Sequence, residues 1–300
     1  MTLDRLPHHF SKTLLLASFS IGTIFVVAQT ESNNESSVAE TEISEEFEIL
    51  SKLELQTHQS DRYEKLKEEL KKSQFSDEHQ ELIATALSQS VVGAPISTYR
   101  EESFVEGTDV DPTEEVQTLS ILETGMVEDD DASSYSLNGA MTPFSSVAFF
   151  PLEPANGKIL NEGNSDITFR FDVILEVPED EEAPEFVTNM LKKLKLAVDF
   201  RIDKESQQLK TSSFTLLKPF RKLFLFNFKQ FNLTYSYEFN EDCGCMTISN
   251  RDVSMNASVL ILGHLYMRAK VNYSDIECEK PLRYLHRDQG FSDDVLTLMF

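Results

Sequence analysis

The residues of this 300-residue chain whose types could do chemistry are three cysteines, a few clusters of carboxylates and scattered histidines. Cys243 and Cys245 flank one glycine, and Cys278 lies farther along. A bond closing Cys243 onto Cys245 would be strained, so the expected disulfide joins one of them to Cys278 and leaves a thiol over. Three cysteines with no fourth ligand at a characteristic spacing do not make a zinc site. Asp109, Asp111, Glu114, Glu115 and the run Glu128–Asp131 carry the hard oxygens that calcium takes. They lack the alternating Asp, Gly and closing Glu of an EF-hand loop, and read as solvated charge.

Catalytic patterns are missing. The chain has no Gly-x-Ser-x-Gly, no His-Glu-x-x-His and no phosphate-cradling glycine loop. His79 sits within "DEHQE", which reads as an exposed face of an acidic helix. His58 reads likewise, and His264 and His286 are isolated in turns. Carboxylates paired across strands, as in glycosidases, would need tertiary placement. A non-enzymatic protein without a cofactor is expected.

The strongest pattern is aromatic. In "DITFRFDVILEV", residues 166–177, Ile167, Phe169, Phe171, Val173, Leu175 and Val177 share one parity. This is the period-2 signature of a half-buried strand. Leu194–Ile202 alternates in the same way, then Phe220, Phe224, Phe226 and Phe228, then Phe231, Leu233, Tyr235, Tyr237 and Phe239. The chain holds 22 Phe and no Trp. Phe169, Phe171, Phe200, Phe224, Phe226, Phe228, Tyr235 and Tyr237 are the candidate ligand-binding residues, with Phe231 and Phe239 on the same face. Such a face must be buried. It can be plain core of a sandwich or barrel, the lining of a cavity for an apolar, lipid-like guest, or the outward face of an outer-membrane barrel.

Parity also sets expected registers. A turn at Lys229-Gln230 would pair Phe228 with Phe231 and Phe226 with Leu233. A turn through Asn240–Cys245 pairs Phe239 with Met246 and Tyr237 with Ile248, and one through Ser249–Asp252 would pair Ile248 with Val253. The alternating stretch Val253–Tyr273 is too long for one strand at about 3.3 Å per residue. A hairpin with Leu262-Gly263-His264 as its loop is expected there. The resulting fold class is α+β: an acidic helical or disordered N-terminal region, then a mainly antiparallel β domain, barrel-like or sandwich, of about nine strands with one short helix near 183–191.

Charge divides the chain near Pro143. Of a net −24, residues 31–142 hold 27 acidic and 7 basic side chains, net −20, whereas residues 143–300 hold 23 and 18, net −5. Such a field repels nucleic acid and anionic membrane. Within the acidic part, helices are expected over Ile43–Leu55, Asp61–Lys72 and Asp77–Ser90, the last capped by Ser76, and offer a surface for a protein partner. Residues 1–28 read as an export signal, with Arg5 and Lys12 ahead of the apolar run Thr13–Ala28. The expected organisation is a signal peptide over 1–28, an acidic helical region over 29–92, an acidic linker over 93–142 and the β domain over 143–300. The location is exported: periplasmic, envelope-associated or secreted. The sequons at Asn232, Asn256 and Asn272 fall on the polar parity, and another occurs at Asn34.

Overall fold

A computed structural model of the chain describes residues 47–90, 92–108, 110–137, 141–145, 152–173, 194–222, 226–259 and 263–286. The export signal, the strand near 145–150, the short helix near 183–191 and the tail Val295–Phe300 lie outside these residues, as does Phe224.

The described chain opens with β1 (Glu48–Ser51) and then α1 (Lys52–Leu70). A helix over Ile43–Leu55 was the expectation, but Ser51 interrupts it with a capping box. Its hydroxyl accepts from Glu54 N–H, while the Glu54 carboxylate accepts from Ser51 N–H at 2.7 Å. This satisfies two otherwise orphaned donors and starts the helix at Lys52. Ahead of it, Leu50 is buried opposite Tyr284, which makes Glu48–Ser51 a strand. α1 then runs unbroken from the end of the first expected helical segment through nearly all of the second, and buries Leu55, Leu66 and Leu70. α2 (Asp77–Gln89) begins at Ser76, whose hydroxyl accepts from His79 N–H, and buries Ile83, Ala84, Ala86 and Leu87. The two helices pack on each other; Lys67 and the Tyr63 hydroxyl both reach Glu81.

Strands follow: β2 (Ala94–Pro95), β3 (Ser97–Gly107), β4 (Val110–Ile121), β5 (Met126–Asp129), β6 (Ser134–Ser136), β7 (Leu152–Glu162), β8 (Asp166–Val173) and β9 (Leu196–Asp203). After them come β10 (Leu209–Leu216), β11 (Phe220–Lys222), β12 (Phe226–Asn240), β13 (Cys245–Val259), β14 (Gly263–Cys278) and β15 (Arg283–His286). β1, β15 and β2 form a small sheet. The large antiparallel sheet runs β6-β5-β4-β3-β14-β13-β12-β10-β9-β8-β7, with β11 also on β12. Among the described residues its ends, β6 and β7, do not pair with each other.

Residues 93–142 are therefore not a linker. β3 pairs with β14 along nearly its whole length, and β4 to β6 extend the sheet beyond it. The charge step near Pro143 is not a structural boundary, because Phe47–Asp288 forms one compact unit. The acidic side chains of β4 are exposed and say nothing of whether the backbone pairs: Asp111 to Val116 are exposed on a strand held by β3.

Registers followed parity where the turn was tight. Phe239 faces Met246 and Tyr237 faces Ile248, as expected. The turns expected at Lys229-Gln230 and Ser249–Asp252 are instead β-bulges inside single long strands. β12 pairs with β13 from Phe226↔Val259 to Asn240↔Cys245, with register shifts between Phe228 and Gln230 and between Ser236 and Tyr237. A bulge inserts one residue and flips the parity of everything after it. A turn with an even number of residues does the same to the sequence pattern, so the two look alike in one dimension. The partner of Phe228 is Phe220 across a β11–β12 hairpin, not Phe231. β13 and β14 form the expected hairpin, but two residues earlier, with Val259 opposite Gly263, which takes φ +79°.

Cys243 and Cys278 are joined in a disulfide with Cα atoms 5.2 Å apart, and Cys245 is a buried free thiol. The Tyr284 hydroxyl donates to the Cys243 carbonyl at 2.7 Å, tying the small sheet to the end of β12.

Candidate functional site: the inner face of the large sheet

Side chains at paired positions of neighbouring strands share a face. One row crosses the sheet as Phe169, Phe200, Ser212, Tyr235, Arg251 and Val271; the next as Phe171, Val198, Phe214, Leu233, Val253 and Ala269. The aromatic strip is continuous with the aliphatic core. Phe169 and Phe171 are fully enclosed, and Phe200, Phe228, Phe231, Tyr235 and Tyr237 are buried. Phe226 lies in β12. Phe239 departs from expectation and is 47% exposed: it shares the parity but stands at the end of β12, beyond what covers the face.

The opposite face is polar. Arg170 makes a two-pronged pair with Asp199, both contacts at 2.6 Å, Arg201 pairs with Asp166 and Arg268 with Asp252. Asn232 donates to Ser254, and Asn250 to Asn272. The outer-membrane reading needs an apolar outward face. Here the charged face is the outer one and the apolar face is covered, which removes that reading.

Two pieces of chain cover the inner face. One is the connection between the helices. Phe75 lays its ring edge-on against Phe169 (5.2 Å between centroids) and Phe171 (5.7 Å). Room for it comes from Gly157 on β7: a Cβ there would lie 2.6 Å from the Phe75 ring. The Gln80 amide holds the Phe75 carbonyl at 2.9 Å, and the His79 ring meets Phe169 edge-on. The second piece is residues 141–145. Pro143 carbonyl accepts from Ile248 N–H at 2.7 Å, Met141 carbonyl accepts from the Tyr273 hydroxyl, and Phe144 is buried.

Beneath that second cover lies a polar cluster that sequence reasoning missed. Glu101 of β3 and Arg251 of β13 are both buried, on the inner parity, with Tyr99, Tyr273 and Tyr235. Tyr99 and Tyr273 meet edge-on at 5.9 Å. Gln117 donates to Glu101 at 3.4 Å. Burial pushes the Glu101 carboxyl above its usual range, against the opposing pull of Arg251 and of the Gln117 amide. Burial also raises the Tyr99 and Tyr273 phenols. Nearby, Ser212 and Tyr237 share a buried hydrogen bond at 2.9 Å. The signal available for this cluster was Arg251 on the apolar parity of Val253, Met255 and Ala257. It was hidden because Tyr99 and Glu101 fell in the supposed linker and Arg251 in a supposed turn.

Among the described residues no group of side chains could hold a metal ion. Asp129, from the run weighed for calcium, instead accepts from the Asp131 and Ser133 amides in its own turn. No described helix is long and apolar enough to cross a membrane. Two concavities formed by described residues are open and lined mostly by polar residues. One, of about 510 Å³, lies along α1 by Gln56, Tyr63 and Ser88; another, of about 330 Å³, lies on the outer face by Asp252, Tyr266 and Arg268.

No protein-family model and no curated protein matches the chain. Among solved structures, a LolA superfamily protein from Nitrosomonas europaea is similar at 11% identity, with a TM-score of 0.33, over 67% of this chain and 93% of that one. A likeness this distant carries no argument about the site.

Proposed function

We propose that this chain is an exported, non-enzymatic binding protein whose inner sheet face receives an apolar, acyl-type ligand beneath the α1–α2 connection. The observation that carries the reading is the way Phe75 meets the aromatic strip. The strip is covered there by one side chain from a six-residue connection, admitted through a glycine on the neighbouring strand, with only His79 of the first turn of α2 beside it on Phe169. A core closed for good has no need of a cover hung on a loop, since irregular segments open at the lowest free-energy cost. Withdrawal of Phe75 would leave Phe169 and Phe171 as a ready apolar seat. Edge strands that do not pair with each other among the described residues, and a polar outer face, suit a container rather than a closed barrel.

A plain-core reading has its own support in the complete enclosure of Phe169 and Phe171. Phe75→Ala separates the two. As a displaceable cover, its loss should cost little stability and strengthen binding of a fluorescent fatty-acid analogue. As core, its loss should cost about 3–5 kcal/mol, with no probe bound by either form. Native mass spectrometry of the exported protein gives an independent readout: a retained lipid mass supports the container, and its absence together with no probe binding refutes it.

A further inference from the structure

The inner face carries a feature that an apolar container does not need: charged and phenolic groups buried in its middle. Glu101 and Arg251 are 8% and 7% exposed. Holding opposite charges out of water costs more than packing apolar side chains in the same place, so such a pair is weak evidence of a purely stabilising role. Tyr99 adds an independent observation. Its side chain is wholly enclosed, its neighbours include Tyr273, Tyr135 and Glu101, and among the described residues its hydroxyl has no hydrogen-bond partner. Buried hydroxyls are satisfied in the great majority of proteins, and an unsatisfied one asks for an occupant.

We infer that this cluster receives the ester carbonyl of an acylated lipid, with the Tyr99 hydroxyl donating to it, Arg251 adjacent, and the acyl chain running along the row toward Phe169. The inference rests on the acyl-ligand reading of the same face. From Tyr99 on β3 the way toward Phe169 crosses β14 and β13 to β12 in its first three strand steps. At about 4.8 Å each these span roughly 14 Å. One acyl chain covers that span, since two chain lengths make up a hydrocarbon core of roughly 30 Å, so a chain held at Tyr99 ends beside Tyr235 on β12. The charge balance decides for an ester over a free acid. Arg251 is already offset by Glu101, and Glu115 adds further negative charge nearby. A fatty-acid carboxylate would bring another anion into this enclosed place, whereas an ester brings acceptor oxygens and no charge.

The test uses the full chain and a fluorescent alkyl probe, displaced by monopalmitoylglycerol, by palmitate or by hexadecane. The ester should displace the probe best. Tyr99→Phe, which removes only the hydroxyl, should weaken the ester about tenfold, the size expected for one buried hydrogen bond, while affinity for hexadecane and the urea midpoint hold. Tyr237→Phe, whose hydroxyl already bonds Ser212, should leave the preference for ester over hexadecane in place. If the probe does not bind at all, the acyl-ligand reading falls and this inference with it. If the probe binds but palmitate competes as well as the ester, or Tyr99→Phe leaves ester affinity unchanged, the headgroup assignment is wrong while the acyl site stands. A lowered midpoint in Tyr99→Phe would show a structural bond to that hydroxyl and overturn the assignment as well.

Discussion

Gly157 and Phe75 fit each other as slot and ring: a Cβ on residue 157 would stand 2.6 Å from one ring carbon of Phe75 and 2.8 Å from another. Both contacts are closer than side chains tolerate, so Gly157→Ala must push the ring off the aromatic strip. Overpacking of this kind costs about 1–3 kcal/mol. Phe75→Ala should remove the clash, so the double variant should be more stable than the sum of the single effects by about 0.5–3 kcal/mol. Urea midpoints of the four proteins measure this coupling, and additivity would show that the ring is not seated there.

The disulfide gives a second expectation. Cys243 and Cys278 are separated by 35 residues, and closing a loop of that length stabilises by about 4 kcal/mol in the chain-entropy description. The double variant Cys243→Ser/Cys278→Ser should lose that order of stability. A non-reducing peptide map should find Cys245 as the free thiol.

Cys245 itself should be inert. Burial pushes its thiol up to about 12, with Lys52 only partly opposing, from an ordinary value of 9.0. Since the thiolate is the nucleophile, the reactive form is about a thousandfold scarcer. Alkylation by iodoacetamide at pH 8 should be negligible in the folded protein and rapid in urea. Fast labelling without denaturant would mean that the β12–β13 turn opens readily.

Glu101 predicts a pH dependence with a definite sign. Its carboxyl is raised by burial above the ordinary value of 4.5, which outweighs Arg251 and Gln117. The folded chain therefore holds this proton more tightly than the unfolded chain. The stabilising contribution is complete below the unfolded value and is lost as pH rises through the folded value. Glu101→Gln should remove this loss, so its midpoint relative to the parent should rise as the pH is raised above the ordinary value of 4.5. A fall in that direction would show that pairing with Arg251 outweighs desolvation.

The sequence by itself determined whatever depends on short-range periodicity. The strict alternation of residues 166–173 made β8, the four-residue turn after Asn240 set Phe239 opposite Met246, and Ser76 placed the start of α2. Each of these is decided within a few residues, by side-chain direction in a pleat or by one capped amide. The aromatic composition of the inner face was legible for the same reason. Tertiary structure alone decided where parity flips are bulges rather than turns, because that choice depends on whether a neighbouring strand continues alongside, as β13 does past Lys229 and β12 past Ser249. It also decided that an acidic stretch such as Val110–Ile121 is a strand: its partner β3 reaches it through a hairpin, but β3 is held in turn by β14, more than 150 residues away in sequence. The Tyr99, Glu101 and Arg251 cluster belongs to this second kind. Its members come from strands distant in sequence and meet only through the register of β3, β14 and β13, and no local pattern marks a charge that is to be buried by residues it has yet to meet.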